Sequence, residues 1–341
     1  MTAASDLSRK DFVTDQDVRW CPGCGDYSVL ANVQRVMPEL GVPRENFVFV
    51  SGIGCSSRFP YYMNTFGFHT IHGRAPAFAT GIKASRPELS VWIVTGDGDG
   101  LSIGGNHLLH AIRRNLDVQI LLFNNRVYGL TKGQYSPTSL LGMRTKTSPQ
   151  GSIDHPIDPI TFALGSGATF VARTIDVDAN HMQDMLKRAH QHKGTAFIEI
   201  LQNCPVYNDN EWIEVEDRKQ RVEAALVLDD GQPLVWGPAD QRRGIRIEDG
   251  IPSIVALDAG EDPVSKGIAV HYERHETPAY AFALASLQRP AFPLPIGVFR
   301  AVEKPTYEAM LQQQVDDAIS KMGKGDLAEL LHSGDTWTVT Q

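Results

Sequence analysis

Four short apolar runs recur along the first two thirds of the chain, with segments of helical spacing between them. The runs are NFVFVSG (46–52), SVWIVTG (90–96), DVQILLFNN (117–125) and TAFIEILQN (195–203). None alternates apolar with polar residues, so each predicts a strand buried on both faces. The segments YSVLANVQRVMPEL (27–40), APAFATGIKAS (75–85), GGNHLLHAIRRN (104–115) and HMQDMLKRAHQH (181–192) predict helices. Pro38 and Pro87 predict where the first two end. Buried strands alternating with helices specify an α/β fold, a parallel sheet with helices on both faces. Ligands of such sheets bind outside the carboxyl ends of the strands. That rule singles out three loops: after Val50, after Thr95 and after Phe123.

Residues 1–20 are polar and charged and read as an N-terminal arm. Residues 21–209 form the α/β domain. From 210 the chain turns charged, turn-rich and then Pro-rich (RPAFPLPIG) before a last helical pattern, YEAMLQQQVDDAISKM. Residues 210–341 read as a C-terminal extension packed on the domain or on a partner subunit, with no second α/β unit of their own. The net charge of −8 argues against non-specific nucleic-acid binding, which needs a basic face. No apolar run reaches membrane-spanning length, and the N-terminus lacks the apolar core of a signal peptide. A cytoplasmic protein with reduced thiols is expected.

The loop GDGDG places Asp97 between two glycines at the end of a strand. The next strand ends in Asn124 and Asn125. A hard divalent cation such as Mg²⁺ takes oxygen ligands, with one or two carboxylates and the rest from carbonyls, water and phosphate. The glycines let backbone N–H groups approach phosphate oxygens, and the following helix opening near Gly104 adds its dipole. The two loops together predict a Mg²⁺-diphosphate clamp.

The chain has four cysteines, and two of them, Cys21 and Cys24, share the turn RWCPGCGDYS. Cys55 lies just beyond one predicted strand and Cys204 just beyond another, so both reach the edge that carries the clamp. By spacing alone, four thiolates suit a structural Zn²⁺ as well as an iron–sulfur cluster. His107 and His110 have a spacing found in metal sites, but no carboxylate or cysteine joins them, and helix packing accounts for them. Trp20 and Tyr27 flank the CxxC turn and are expected to shield it.

GDG followed by NN resembles the thiamine-diphosphate signature. That motif implies Asp97, Asn125 and the carbonyl of Val127 as Mg²⁺ ligands. The order WCPGCGD, GIGCSSR, HGRAPAFATGIK, GDGDGLSIGGNH, NNRVYGLTKGQ, NCPVYND resembles the β subunits of 2-oxoacid:ferredoxin oxidoreductases from residue 19 to about 210. It most resembles the 2-oxoglutarate:ferredoxin members (2-oxoglutarate synthases). The resemblance implies one [4Fe–4S] cluster held by Cys21, Cys24, Cys55 and Cys204. It implies cofactor contacts from Ile53, Gly54, Cys55, Ser56, Gly98, Asp99, Gly129 and Leu130. It also implies a histidine, His72, facing the reacting end of the cofactor. Arg58 and Lys132 stand in two of the active-edge loops. An arginine can bind a carboxylate bidentately, and Lys132 alternatively faces coenzyme A. The bland reading is a satisfied loop histidine for His72 and ordinary surface charges for Arg58 and Lys132.

The implied activity is oxidative decarboxylation of a 2-oxo acid, 2-oxoglutarate in the first instance, with coenzyme A and ferredoxin. The products would be succinyl-CoA and CO₂, and the step would be reversible as CO₂ fixation. Pyruvate or another 2-oxo acid is the alternative substrate. A non-catalytic zinc-binding subunit is the reading from another class. The acid that activates the cofactor is expected on an α subunit, in an α2β2 assembly.

Overall fold

The computed structural model describes residues 7–340. Eight strands form the central sheet: β1 (Phe47–Ser51), β2 (Phe66–His69), β3 (Ser90–Gly96), β4 (Val118–Asn124), β5 (Phe170–Ile175), β6 (Ala196–Leu201), β7 (Ala225–Leu228) and β8 (Leu294–Ala301). Their spatial order is β2-β1-β3-β4-β6-β5-β8-β7. Strands β1 to β6 run parallel to their neighbours, and β8 pairs antiparallel to β5.

Each continuous apolar run serves two cores, because side chains alternate across a sheet. Val48, Val50, Val91, Ile93, Ile120 and Leu122 face one core, with helices Ala75–Ser85 and Gly105–Arg113. Phe47, Phe49, Trp92, Val94, Leu121 and Phe123 face the other, with helices Asp26–Val36 and Ala179–Gln191. Full burial of each such side chain is worth roughly 1.5–3 kcal/mol. Ser51 pairs with Val94, Gly96 with Phe123, and Asn124 with Leu201. The carboxyl ends of β1, β3, β4 and β6 therefore lie level, and their loops open on one edge.

The first helix ends near Pro38 as expected: it runs to Val36 and tightens into a 3₁₀ turn, Met37–Leu40, that contains the proline. Other elements depart from expectation. Part of the expected arm, residues 1–6, lies outside the described residues. The rest is not a loose arm. Phe12 is fully buried and meets Phe47 edge-on at 5.7 Å between ring centroids, so one aromatic residue anchors a polar segment. The Pro-rich stretch near 290–297 enters the sheet: Leu294–Phe299 is buried along β8. Residues after 210 thus contribute two strands, β7 and β8, to the central sheet, and a small hairpin sheet, Arg243–Glu248 with Ile251–Ala256, packs nearby. Among the described residues no helix is long and apolar enough to cross a membrane.

Candidate active site

β3 ends at Gly96 and the chain winds at once into a π-helical turn, Asp99–Ile103, that leads into helix Gly105–Arg113. Such turns cluster at functional sites. The glycines here serve close packing. A Cβ on Gly98 would lie 2.2 Å from the Tyr128 ring, and one on Gly104 would lie 2.9 Å from Cα of Gly73.

Asp97 is buried, at 2 % exposure. Its Oδ2 accepts from Ser136 Oγ at 2.5 Å and from Thr138 Oγ1 at 2.6 Å. Burial pushes the carboxyl up to about 6 despite these hydroxyls, and no basic side chain offsets it. A buried carboxylate with no basic side chain beside it has the chemistry of a divalent-cation ligand, so Asp97 fits the expected Mg²⁺ role. Asn125 stands across the cavity. Its Oδ1 accepts from Val127 N at 3.2 Å and its Nδ2 donates to Gln202 Oε1 at 2.8 Å.

The sequence offers no cue to what holds this clamp. Arg173 and Glu199 are buried cross-strand neighbours joined at 2.6 Å. Glu199 Oε1 accepts from Asn124 Nδ2 at 2.7 Å, and Asn124 Oδ1 lies 2.9 Å from Thr138 Oγ1, whose one hydroxyl proton it shares with Asp97. One chain of contacts therefore runs from the sheet centre through Asn124 and Thr138 to Asp97. The first asparagine of the pair is a strut, and the second is the candidate ligand.

Asp99 ties three loops together. Its Oδ1 accepts from Ile53 N (2.9 Å), Gly73 N (2.7 Å) and His72 Nδ1 (2.6 Å), and its Oδ2 from Thr95 Oγ1 (2.6 Å). A carboxylate only accepts, so His72 carries its proton on Nδ1 and leaves Nε2 free in the neutral ring. The expected cofactor residues Ile53, Gly54, Cys55, Ser56, His72, Gly98, Asp99, Gly129 and Leu130 line one cavity of about 100 Å³, together with Asp97, Asn125 and Val127.

Beside it lies a second cavity of about 240 Å³ lined by all four cysteines, with Arg58, Tyr207 and Pro205. The two cavities share Cys55, Asn125, Gly129 and Leu130. All four thiols are free. A Cβ on Gly129 would touch Cys55 Sγ at 3.4 Å and Cys204 Sγ at 3.8 Å, so both sulfurs rest on one glycine. Burial pushes the Cys55 thiol up to about 12 and the Cys24 thiol higher still, and the neighbouring thiols add to both shifts. A bound cationic centre reverses this, because ligand thiols must be ionised. No three His, Cys, Asp or Glu side chains among the described residues converge as single-ion ligands. The four cysteines around one cavity supply the four thiolates that an iron–sulfur cluster takes. Trp20 is 7 % exposed and donates from Nε1 to the Cys55 carbonyl at 2.7 Å.

Arg58 lines both the cysteine cavity and a neighbouring cleft of about 620 Å³, and its Nη1 donates to the Arg19 carbonyl at 2.9 Å. Lys132 is exposed and lines neither site cavity. His107 and His110 sit on helix Gly105–Arg113, and among the described residues no third ligand group joins them. Sequence reasoning missed Gln202, Ser136, Thr138 and Glu199, and did not separate the bracing role of Asn124 from that of Asn125. Only the position of Gln202 directly before Asn203 and Cys204 could have pointed to one of them.

A cavity at the strand ends of a parallel sheet, lined by a buried carboxylate and an asparagine, fits the thiamine-diphosphate enzyme class. Residues 52–200 match the family model described as the thiamine pyrophosphate enzyme C-terminal TPP-binding domain. The chain is 51% identical over 334 residues to the 2-oxoglutarate oxidoreductase subunit KorB of Mycobacterium tuberculosis, covering 97% of this chain and 88% of that one. It is 46% identical over 232 residues to the 2-oxoacid:ferredoxin oxidoreductase subunit beta of a Sulfolobus species, covering 67% and 74%. Among solved structures it matches a 2-oxoglutarate:ferredoxin oxidoreductase from Magnetococcus marinus with 2-oxoglutarate, coenzyme A and succinyl-CoA bound. That match has a TM-score of 0.76 and 31% identity, and covers 97% of both chains. The chain belongs to the β subunits of the thiamine-diphosphate-dependent 2-oxoacid:ferredoxin oxidoreductases, beside the 2-oxoglutarate members.

Proposed function

We propose that this chain is the β half of an enzyme that oxidises 2-oxoglutarate with coenzyme A to succinyl-CoA and CO₂. The electrons pass through a [4Fe–4S] cluster held by Cys21, Cys24, Cys55 and Cys204 to ferredoxin. The observation that carries this reading is the shared wall: the four-cysteine cavity and the diphosphate cavity have Cys55, Asn125, Gly129 and Leu130 in common. The substrate assignment is supported by the 2-oxoglutarate named for two of the relatives. Free thiols suit a reducing cytoplasm.

Thiamine diphosphate, when bound, supplies the carbon nucleophile and the electron sink for loss of CO₂. The protein's part is positioning. Asp97, the Asn125 amide oxygen and the Val127 carbonyl hold Mg²⁺. Asp99 fixes the loops that carry Ile53 and His72. Nε2 of His72 is the free ring nitrogen at the cavity wall, placed to hold or accept a proton. Arg58 offers a guanidinium for a substrate carboxylate from the cleft beside Cys55, and Lys132 stands outside, where coenzyme A would approach. With reduced ferredoxin and succinyl-CoA the same site would run in reverse and fix CO₂.

The site is half of one. The cavity of about 100 Å³ is smaller than the whole cofactor. Phe66 and Phe68 on edge strand β2, with Ile71, Phe78 and Ile103, are exposed at 45–71 %, an apolar surface that an α subunit would cover in an α2β2 assembly.

The test is anaerobic purification with the cognate α subunit. Iron and acid-labile sulfide in equal amounts, and a brown colour bleached by dithionite, are expected. Zinc and no chromophore would remove the cluster. Cys204→Ala should lose most of the iron. With methyl viologen as acceptor, 2-oxoglutarate should turn over fastest of a 2-oxo acid panel, and the lone β chain should turn over none. Fastest turnover of pyruvate would replace the substrate.

A further inference from the structure

Gln202 follows β6 and is fully buried. Its side-chain amide reaches in two directions. Nε2 donates to Cys24 Sγ at 3.2 Å and to the Asn203 carbonyl at 2.5 Å. Oε1 accepts from Asn125 Nδ2 at 2.8 Å. A carbonyl only accepts, so the Asn203 contact fixes which end of the amide faces the sulfur. With Nδ2 of Asn125 engaged, its Oδ1 is held on the other side, toward Val127 N. The fit is tight, since a Cβ on Gly25 would lie 2.8 Å from Gln202 Cγ. The turn that carries Cys24 therefore packs against this side chain and that of Asp176.

We propose that Gln202 is a positioning residue that couples the cysteine cavity to the cation clamp. One end orients the amide of Asn125, and the other places an N–H against the Cys24 sulfur. The inference rests on the reading of the cysteines as cluster ligands and of Asn125 as a Mg²⁺ ligand. Outer partners of ligands typically set metal affinity by about 10–100-fold. An N–H donated to a cluster sulfur favours the reduced, more negative state and raises the potential. A group that serves both sites makes each sense the occupation of the other, and such coupling is reciprocal.

Wild-type enzyme, Gln202→Leu and Gln202→Glu are purified anaerobically with the partner subunit and stripped of thiamine diphosphate with EDTA. Two quantities are read: the Mg²⁺ concentration that half-saturates thiamine diphosphate binding by calorimetry, and the cluster midpoint potential by electron paramagnetic resonance. Gln202→Leu should raise the half-saturating Mg²⁺ by about tenfold or more and lower the potential. Gln202→Glu keeps an acceptor for Asn125 and loses the donor to Cys24. It should leave the Mg²⁺ requirement near wild type and lower the potential alone. In wild type, binding of Mg²⁺ and thiamine diphosphate should shift the potential, and Gln202→Leu should abolish that shift. A purely structural role would reduce iron content and the thermal midpoint while the remaining cluster kept its potential, and that result overturns the coupling. If Gln202→Leu does not fold, an unchanged potential in Gln202→Glu overturns it. Wild type without iron, or one that binds thiamine diphosphate without Mg²⁺, would overturn the site reading beneath it.

Discussion

Asp99 Oδ1 and His72 Nδ1 stand 2.6 Å apart, and the same oxygen accepts the backbone N–H groups of Ile53 and Gly73. One buried carboxylate thus sets the tautomer of a candidate catalytic ring and the height of two cavity loops. Asp99→Ala leaves a buried N–H and two partly buried donors unpaired and should cost about 3–5 kcal/mol, since hydrogen bonds to charged groups are worth roughly 1.5–3 kcal/mol each. Asp99→Asn can still present an oxygen to the three donors, and should cost about 1–2 kcal/mol. Urea unfolding measures both. Equal losses in the two variants would mean that Asp99 does not hold the loops through these bonds.

Asp97 makes the opposite prediction for stability. Its buried carboxylate, pushed up to about 6 by desolvation, is a burden on the cofactor-free fold. Asp97→Asn should therefore unfold at the same temperature as wild type or higher when both are cofactor-free. Its thiamine diphosphate content after purification should fall to background. Normal cofactor stoichiometry in this variant would remove Asp97 from the clamp.

Phe12 tests whether the start of the chain belongs to the core. The side chain is fully buried against Phe47, and Phe12→Ala should destabilise by about 3–5 kcal/mol. The neighbouring Val13 is 44 % exposed, and Val13→Ser should change stability by less than about 0.5 kcal/mol. A loss below about 1 kcal/mol for Phe12→Ala, read by chemical denaturation, would return the segment to the status of a loose arm.

His192 carries a pH dependence of defined sign. Burial lowers its pKa to about 4 from an ordinary value of 6.5, and its Nε2 lies 2.8 Å from Thr169 Oγ1. The folded protein holds the ring neutral while the unfolded chain protonates it. Its contribution is therefore full above about pH 6.5 and is lost as the pH falls toward 4. Between pH 7.5 and 5.0 wild type should lose about 1–2 kcal/mol more than His192→Gln, after allowance for the partial exposure of the ring. Parallel stability curves for the two proteins would refute the assignment.

Strand and helix positions were legible wherever the signal is local. Val91 to Val94 and Ile120 to Phe123 read as buried strands because every residue in the run is apolar, and both lie in the sheet. Asp97, Asn125 and the four cysteines stood out because few residue types bind cations or iron. β8 was not legible, since Pro293 just before it and Pro295 within it carry a turn signal when read alone. The sheet overrides it: β8 lies between β5 and β7, and its core-facing residues are buried on both sides.

The sequence alone determined the chemistry on offer: an α/β sheet, a carboxylate and an amide at two strand ends, and four thiols. The tertiary structure decided which of these meet. Gln202 touches both Cys24 and Asn125, Glu199 braces Asn124, and Phe12 closes the second core. Those contacts join residues up to 178 positions apart, and no short window of sequence encodes them. Periodicity reports which face of an element is buried. Strand order and register decide what that face, and the loop at its end, will find opposite.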